Sequence, residues 1–196
     1  MVELTYKNYV LNIPDGVYLP SDDTNLMLDV LKDELKYNTF NNTLEIGPGN
    51  AFLALEIYNY SENTTVVDIN SMVIDYIKDI KEKYKLNRLN IIYGDLFNKL
   101  NSKKYDLIVF NPPYVPSEAI ENYATDGGIE GSEIIIKFIN NLNIHLTNKG
   151  ICYLLISSHN QPKKIYKQII KNNLNYKILR EKNIFFENLI ILKISK

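Results

Sequence analysis

Short apolar runs rich in β-branched residues alternate along this chain with stretches whose apolar residues recur every three or four positions, and few folds satisfy that alternation. Strand, crossover helix, strand is the unit of a parallel sheet, and helices then cover both of its faces. Thr43–Ile46, Thr64–Asp68, Leu89–Tyr93 and Tyr105–Phe110 read as the first four strands, with helices over Ala51–Tyr58 and Ser71–Tyr84 between them. After an irregular stretch the pattern resumes with a helix from Ser132 to about Leu146, a strand over Ile151–Ile156 and a helix from Pro162 to about Asn172. Proline suits the first turn of that helix, where an N–H would have no partner. The last two runs, Tyr176–Leu179 and Leu189–Ile194, lie too close together for a crossover helix and should pair antiparallel. An α/β fold follows, its seven-stranded sheet mainly parallel with an antiparallel last strand.

A chain of 196 residues, 45% of them apolar, suits one core, so residues 1–196 are read as one domain. Residues 1–40 form an amino-terminal helical entry segment leading into it. Residues 112–131, rich in proline, glycine and acidic side chains, make a connection too long to be a plain turn and are the candidate substrate loop. The formal charge of -1, from 22 basic and 23 acidic residues, supplies no field to gather nucleic acid, which is not expected as a partner. Cys152 is the single cysteine and lies within an apolar run, which points to a reducing compartment: cytoplasm, with the nucleus also open. No run reaches membrane-spanning length, so no membrane association is expected. No metal site is expected either.

Candidate ligand-binding residues fall where three successive strands end, the rim at which open parallel sheets bind ligands. Gly47 and Gly49 follow the first strand and let the backbone turn tightly and approach a ligand. Glu45, just before them, would repel a pyrophosphate but suits a positively charged ligand. Position 52 is Phe, so the third glycine of a dinucleotide fingerprint is missing. Asp68 closes the second strand, where a carboxylate can accept from both hydroxyls of a ribose, or alternatively cap the helix that follows. Asp95 and Leu96 follow the third strand and suit the amino group and ring of an adenine, or equally a turn aspartate beside a buried leucine. Taken together the three sites favour an adenosyl ligand, here S-adenosyl-L-methionine.

Asn111-Pro112-Pro113-Tyr114 directly follows the fourth strand. A polar turn stiffened by two prolines would account for part of it. The whole set suits more demanding chemistry, because an amide or aromatic amino nitrogen has a delocalised lone pair and is a poor nucleophile. Such a nitrogen must be held in line with the group it attacks. The Asn111 side-chain oxygen and the Pro112 carbonyl can both accept from an NH₂ group, fixing its direction. Tyr114 can lie flat on the planar group. No histidine base is needed, and His145 and His159 are read as structural.

These segments resemble the HemK-like family of eukaryotic and archaeal class I methyltransferases, which act on the glutamine of the Gly-Gly-Gln loop in class I translation termination factors. The resemblance rests on Tyr18-Leu19-Pro20-Ser21-Asp22-Asp23-Thr24, on Phe110–Pro116 with its Asn-Pro-Pro-Tyr core, and on Gly127-Gly128-Ile129-Glu130-Gly131. It implies a Rossmann-like class I fold and glutamine N5 methylation, with Asn111, Pro112, Pro113 and Tyr114 as catalytic residues. Cofactor contacts are implied from Thr24, Glu45, Gly47, Gly49, Asp68, Asp95, Leu96 and Asn111. It further implies a small zinc-binding activator subunit, placed at the edge formed by the third strand. Bacterial relatives carry an extra amino-terminal helical domain; about 25 residues precede the first helical pattern here, so the compact form is implied. Two departures stand out: Asn50-Ala51 where Ser-Gly is expected, and Ala124-Thr125-Asp126 ahead of the paired glycines. Methylation of adenine N6 in DNA, methylation of a protein lysine, and a silent scaffold remain as alternatives.

Overall fold

The computed structural model describes residues 1–117, 125–185 and 187–196. An antiparallel hairpin, β1 (Val2–Tyr6) and β2 (Tyr9–Ile13), precedes the helix α1 (Asp22–Leu35). Then come β3 (Phe40–Ile46), α2 (Phe52–Tyr58), β4 (Ser61–Asp68), α3 (Ser71–Tyr84), β5 (Leu89–Tyr93) and β6 (Tyr105–Phe110). The second half contains α4 (Glu133–His145), β7 (Leu146–Ser157), α5 (Pro162–Lys171), β8 (Asn175–Ile184) and β9 (Glu187–Ser195).

Among the described residues, seven strands form one sheet in the order β5-β4-β3-β6-β7-β9-β8. Pairs among β3 to β7 are parallel, while β9 runs antiparallel to both β7 and β8. The expected antiparallel last strand is therefore present, inserted between its two neighbours. Order reverses between β3 and β6, so the loops after β3, β4, β5 and β6 open on one crevice at the carboxyl ends of the strands.

Both faces of the sheet are buried along its central strands, as parallel sheets require. Alternate residues of β6 serve opposite layers: Leu107 and Val109 join the hairpin, α1, α2 and α3 in one cluster, whereas Ile108 and Phe110 join α4 and α5 in the other. Cys152 lies in the second layer, fully buried, and burial pushes its thiol well above the ordinary range. His145 is buried there too, its ring stacked on Phe97 at 4.4 Å and its Nδ1 2.9 Å from the carbonyl of Lys103. That is the structural role read from the sequence.

The structure adds one element and lengthens others. The segment read as helical before residue 40 contains the β1–β2 hairpin, whose turn places Lys7 at φ 51° rather than using Asn-Gly, so the usual turn signal is missing. Tyr6 and Lys7 anchor that hairpin to the buried Glu56 of α2. Strand β7 begins five residues before the expected Ile151, through Leu146-Thr147-Asn148-Lys149-Gly150, where its register against β6 shifts between Tyr105 and Leu107. Polar residues on such a shift carry no alternation to read.

Candidate active site

Where β3 ends, the Gly47 N–H still bonds to the Val67 carbonyl at 2.8 Å, and the chain then turns away through left-handed backbone at Gly47 (φ 64°) and Gly49 (φ 44°). Ala51 continues this conformation at φ 73°, where a glycine would be unstrained. Asn50 supplies the start of α2, its Oδ1 accepting from the Phe52 N–H at 3.1 Å. Glu45 is buried beneath the turn at 1% exposure, and its Oε2 has no hydrogen-bond partner among the described residues. Burial, and secondarily the charge of Asp68, pushes the Glu45 carboxyl well above the usual carboxylate range.

Asp68 ends β4 but does not cap α3. Asn70 does so, its side chain accepting from the Met72 N–H at 2.9 Å. Asp68 instead accepts from the Asn70 N–H at 2.8 Å, with further backbone N–H contact from Gly49 and Ile69. Burial pushes its pKa up to about 6, and those N–H groups hold it from rising further. The alternative of a helix-capping aspartate is thus taken by another residue. Beyond β5, Asp95 forms an ion pair with Lys137 of α4 at 2.5 Å, and Leu96 is buried at φ 48°.

Thr24, Glu45, Gly47, Gly49, Asp68, Asp95, Leu96, Asn111, Pro112 and Pro113 all line one cavity of about 260 Å³. Ten of the residues singled out in the sequence therefore meet in one place. Tyr114 lines a second cavity, shared with Val115, His159 and Glu187. The tetrapeptide thus contributes wall to both cavities. Tyr114 is partly buried, and burial pushes its hydroxyl pKa up, helped by the charges of Asp23 and Glu187.

Two supports for this wall were not read from the sequence. Asn160, fully buried after β7, donates to the carbonyls of Tyr114 at 2.6 Å and Gly131 at 3.0 Å while its Oδ1 accepts from Ser157 N–H at 2.7 Å. The glycine segment runs so close beneath the wall that a Cβ at Gly131 would fall 2.5 Å from the Tyr114 carbonyl oxygen, and one at Gly127 2.8 Å from that of Pro113. The second support is Asp23, at 3% exposure, which accepts from the Asn111 side-chain NH₂ at 3.0 Å. Asn111 Oδ1, on the other side of the same amide, is buried without a partner among the described residues. Of the expected substrate loop, residues 118–124, including Ala124 of the second departure, lie outside the described residues.

Strand order, the glycine turn and the acidic rim define a class I methyltransferase fold. The family model described as "Methyltransferase small domain" matches residues 21–185, and the chain belongs to that family. A putative protein N5-glutamine methyltransferase of Methanocaldococcus jannaschii is 32% identical over 191 residues, covering 93% of each chain. A release factor glutamine methyltransferase of Thermodesulfovibrio yellowstonii is 26% identical over 169 residues, 79% of this chain and 61% of that protein. Among solved structures, the E. cuniculi Mtq2-Trm112 complex, described as responsible for methylating the eRF1 termination factor, superposes with a TM-score of 0.75. It is 25% identical over 92% of this chain and 99% of the matched one.

Proposed function

We propose that this chain transfers a methyl group from S-adenosyl-L-methionine to the side-chain amide nitrogen of the glutamine in the Gly-Gly-Gln loop of a class I translation termination factor. One observation carries the acceptor chemistry: Asn111 Oδ1 is buried, unpartnered among the described residues and at the wall of the cavity. A buried acceptor without a partner is costly and calls for a ligand that donates. A primary amide provides that donor. The names of the similar proteins, which are glutamine methyltransferases, support the choice of a protein glutamine.

The residues present fit the cofactor. Asp68 would accept from the ribose hydroxyls. The buried Glu45 would face the cationic methionine end, with Thr24 beside it, and the open backbone at Gly47 and Gly49 would let that end approach. Leu96 would pack on the adenine, and Asp95, although paired with Lys137, would accept from its amino group. When bound, the cofactor supplies an electrophilic methyl on a sulfonium. Asn111 Oδ1 and the Pro112 carbonyl would hold the two amide hydrogens, directing the nitrogen lone pair along the line of transfer. Tyr114 would cover the planar group and exclude water. Transfer would require the amide nitrogen to lose one proton; the Asn111 and Pro112 oxygens that hold the amide hydrogens would receive it first and pass it to solvent as the product leaves, so no side-chain base is required.

A small activator subunit is part of this reading. Strand β5 stands at the sheet edge, bonded among the described strands only to β4, with Asn90 and Tyr93 exposed, so a partner strand or loop would complete it. The test incubates the chain, with and without such a subunit, with labelled cofactor and a termination factor, its Gln→Ala variant, duplex DNA and histones. Label on the termination factor alone, lost in the Gln→Ala variant, is the expected result. Label persisting on that variant, or appearing chiefly on DNA or histones, overturns the assignment.

A further inference from the structure

Resting on the glutamine reading above, we infer that Asp23 is the positioning residue that decides which face of the Asn111 amide meets the substrate. Its carboxylate is enclosed by four donors. Thr24 reaches Oδ1 through its backbone N–H at 2.6 Å and its hydroxyl at 3.4 Å. Tyr18 hydroxyl and Asn111 Nδ2 both reach Oδ2 at 3.0 Å. A carboxylate only accepts, so Asn111 must turn its NH₂ toward Asp23 and its oxygen away. That oxygen is the buried atom left without a partner at the wall of the cavity. An amide turned the other way would present NH₂ to the NH₂ of the substrate, two donors facing each other.

The arrangement also ties the amino-terminal part of the chain to the chemistry. Asp23 sits in the first turn of α1, beside Thr24, and both line the same cavity as Asn111 at the end of β6. A residue 88 positions earlier in sequence therefore sets the orientation of the tetrapeptide's first side chain.

Replacing Asp23 by asparagine makes the prediction specific. The Thr24 backbone N–H cannot rotate away, so the introduced amide is held one way round: its oxygen stays with Thr24 and its NH₂ takes the place of Oδ2. Tyr18 adapts, because a hydroxyl both donates and accepts. Asn111 has no such freedom and must flip, turning its own NH₂ into the active site. The single variant N111D fails for a different reason, since it sets two carboxylates against each other. In the double variant D23N/N111D, the amide at position 23 donates to one oxygen of the carboxylate at position 111 and leaves the other as the acceptor. The pair keeps its single negative charge.

The experiment measures kcat and KM for glutamine methylation by the full chain with its activator, together with cofactor affinity, for D23N, N111D and D23N/N111D. D23N is expected to lower kcat about 100-fold, the size of effect seen when one preorganised hydrogen-bonding group is lost, with KM for the termination factor nearly unchanged. The double variant is expected to regain at least about tenfold over either single one. Because the exchange would also restore a purely structural pair, kcat is expressed per cofactor-binding site: a role in folding alone would change stability and the folded fraction and leave that kcat unaltered in every variant. A kcat loss below about tenfold in D23N, or a smaller regain in the double variant, overturns the inference. If the unaltered chain labels no glutamine at all, the functional reading falls by itself. The pair is then read from the ¹⁵N–¹H side-chain signals of Asn111, identified by their loss in N111D: D23N must shift them, and unchanged signals overturn the inference.

Discussion

Asp68→Asn should make the ligand-free protein more stable while abolishing cofactor binding. Burial lifts the pKa of Asp68 from its ordinary 3.8 to about 6. Each unit corresponds to about 1.4 kcal/mol, so the ionised group costs the folded state up to about 3 kcal/mol at neutral pH, and about 2 after allowing for its partial exposure to water. The sign follows from proton binding. Between pH 4 and 6 the folded chain holds this proton more tightly than the unfolded chain, so stability is full below the unfolded pKa and is lost as pH rises through about 6. The amide introduced at position 68 stays neutral throughout and relieves the buried Glu45 of a neighbouring charge. Urea melts of the ligand-free chain should therefore show the variant ahead by about 2 kcal/mol at pH 7, with the gap closing by pH 4. The cofactor needs the ionised acceptor, and about one tenth of Asp68 is ionised at pH 5, so the unaltered protein should bind it about tenfold more weakly there than at pH 7 by calorimetry. A variant that is less stable at pH 7, together with a cofactor affinity flat from pH 5 to pH 8, would refute the reasoning.

Asn111→Ala should reduce methyl transfer by at least about 100-fold and leave cofactor affinity within about threefold; equal loss of both in a paired kinetic and calorimetric measurement counts against an acceptor-holding role. Ala51→Gly should cost little or nothing, because relief of left-handed strain, about 1 kcal/mol, offsets the lost methyl burial and the greater freedom of the unfolded chain. A loss above about 1 kcal/mol in denaturant melts would show that φ 73° is not strained. Asn160→Ala removes the donor shared by the Tyr114 and Gly131 carbonyls, and should destabilise by about 2–4 kcal/mol in urea melts while lowering kcat. Intact kcat in a folded Asn160→Ala protein would mean that the wall is held elsewhere.

Much of this architecture was readable in sequence because it is locally specified. The strand Leu89–Tyr93 and the helix Ser71–Tyr84 have the expected bounds, since each carries its own apolar period and ends where turn residues begin. The rim followed from the same source: residues that end successive parallel strands are neighbours by topology, so Glu45, Asp68 and Asp95 had to gather once the strands were placed. The hairpin β1–β2 was missed because its turn lacks a glycine, and the start of β7 because its polar residues follow a register shift rather than an alternation.

What the chain specified by itself was the ordered set of strands, the glycine turn after β3 and the presence of an acceptor-rich tetrapeptide after β6. Only the tertiary structure chose between neighbours. Asp22 and Asp23 are the same residue type in the same helical turn, yet Asp22 faces outward to Lys182 at 2.8 Å while Asp23 is enclosed by Tyr18, Thr24 and Asn111. Asp68 and Asn70 divided in the same way, one left to the cavity and the other taken by the start of α3. A side chain's chemistry is local, but whether it is spent on a helix end, a lysine or an orienting contact depends on what the rest of the chain packs against it, and that is long-range.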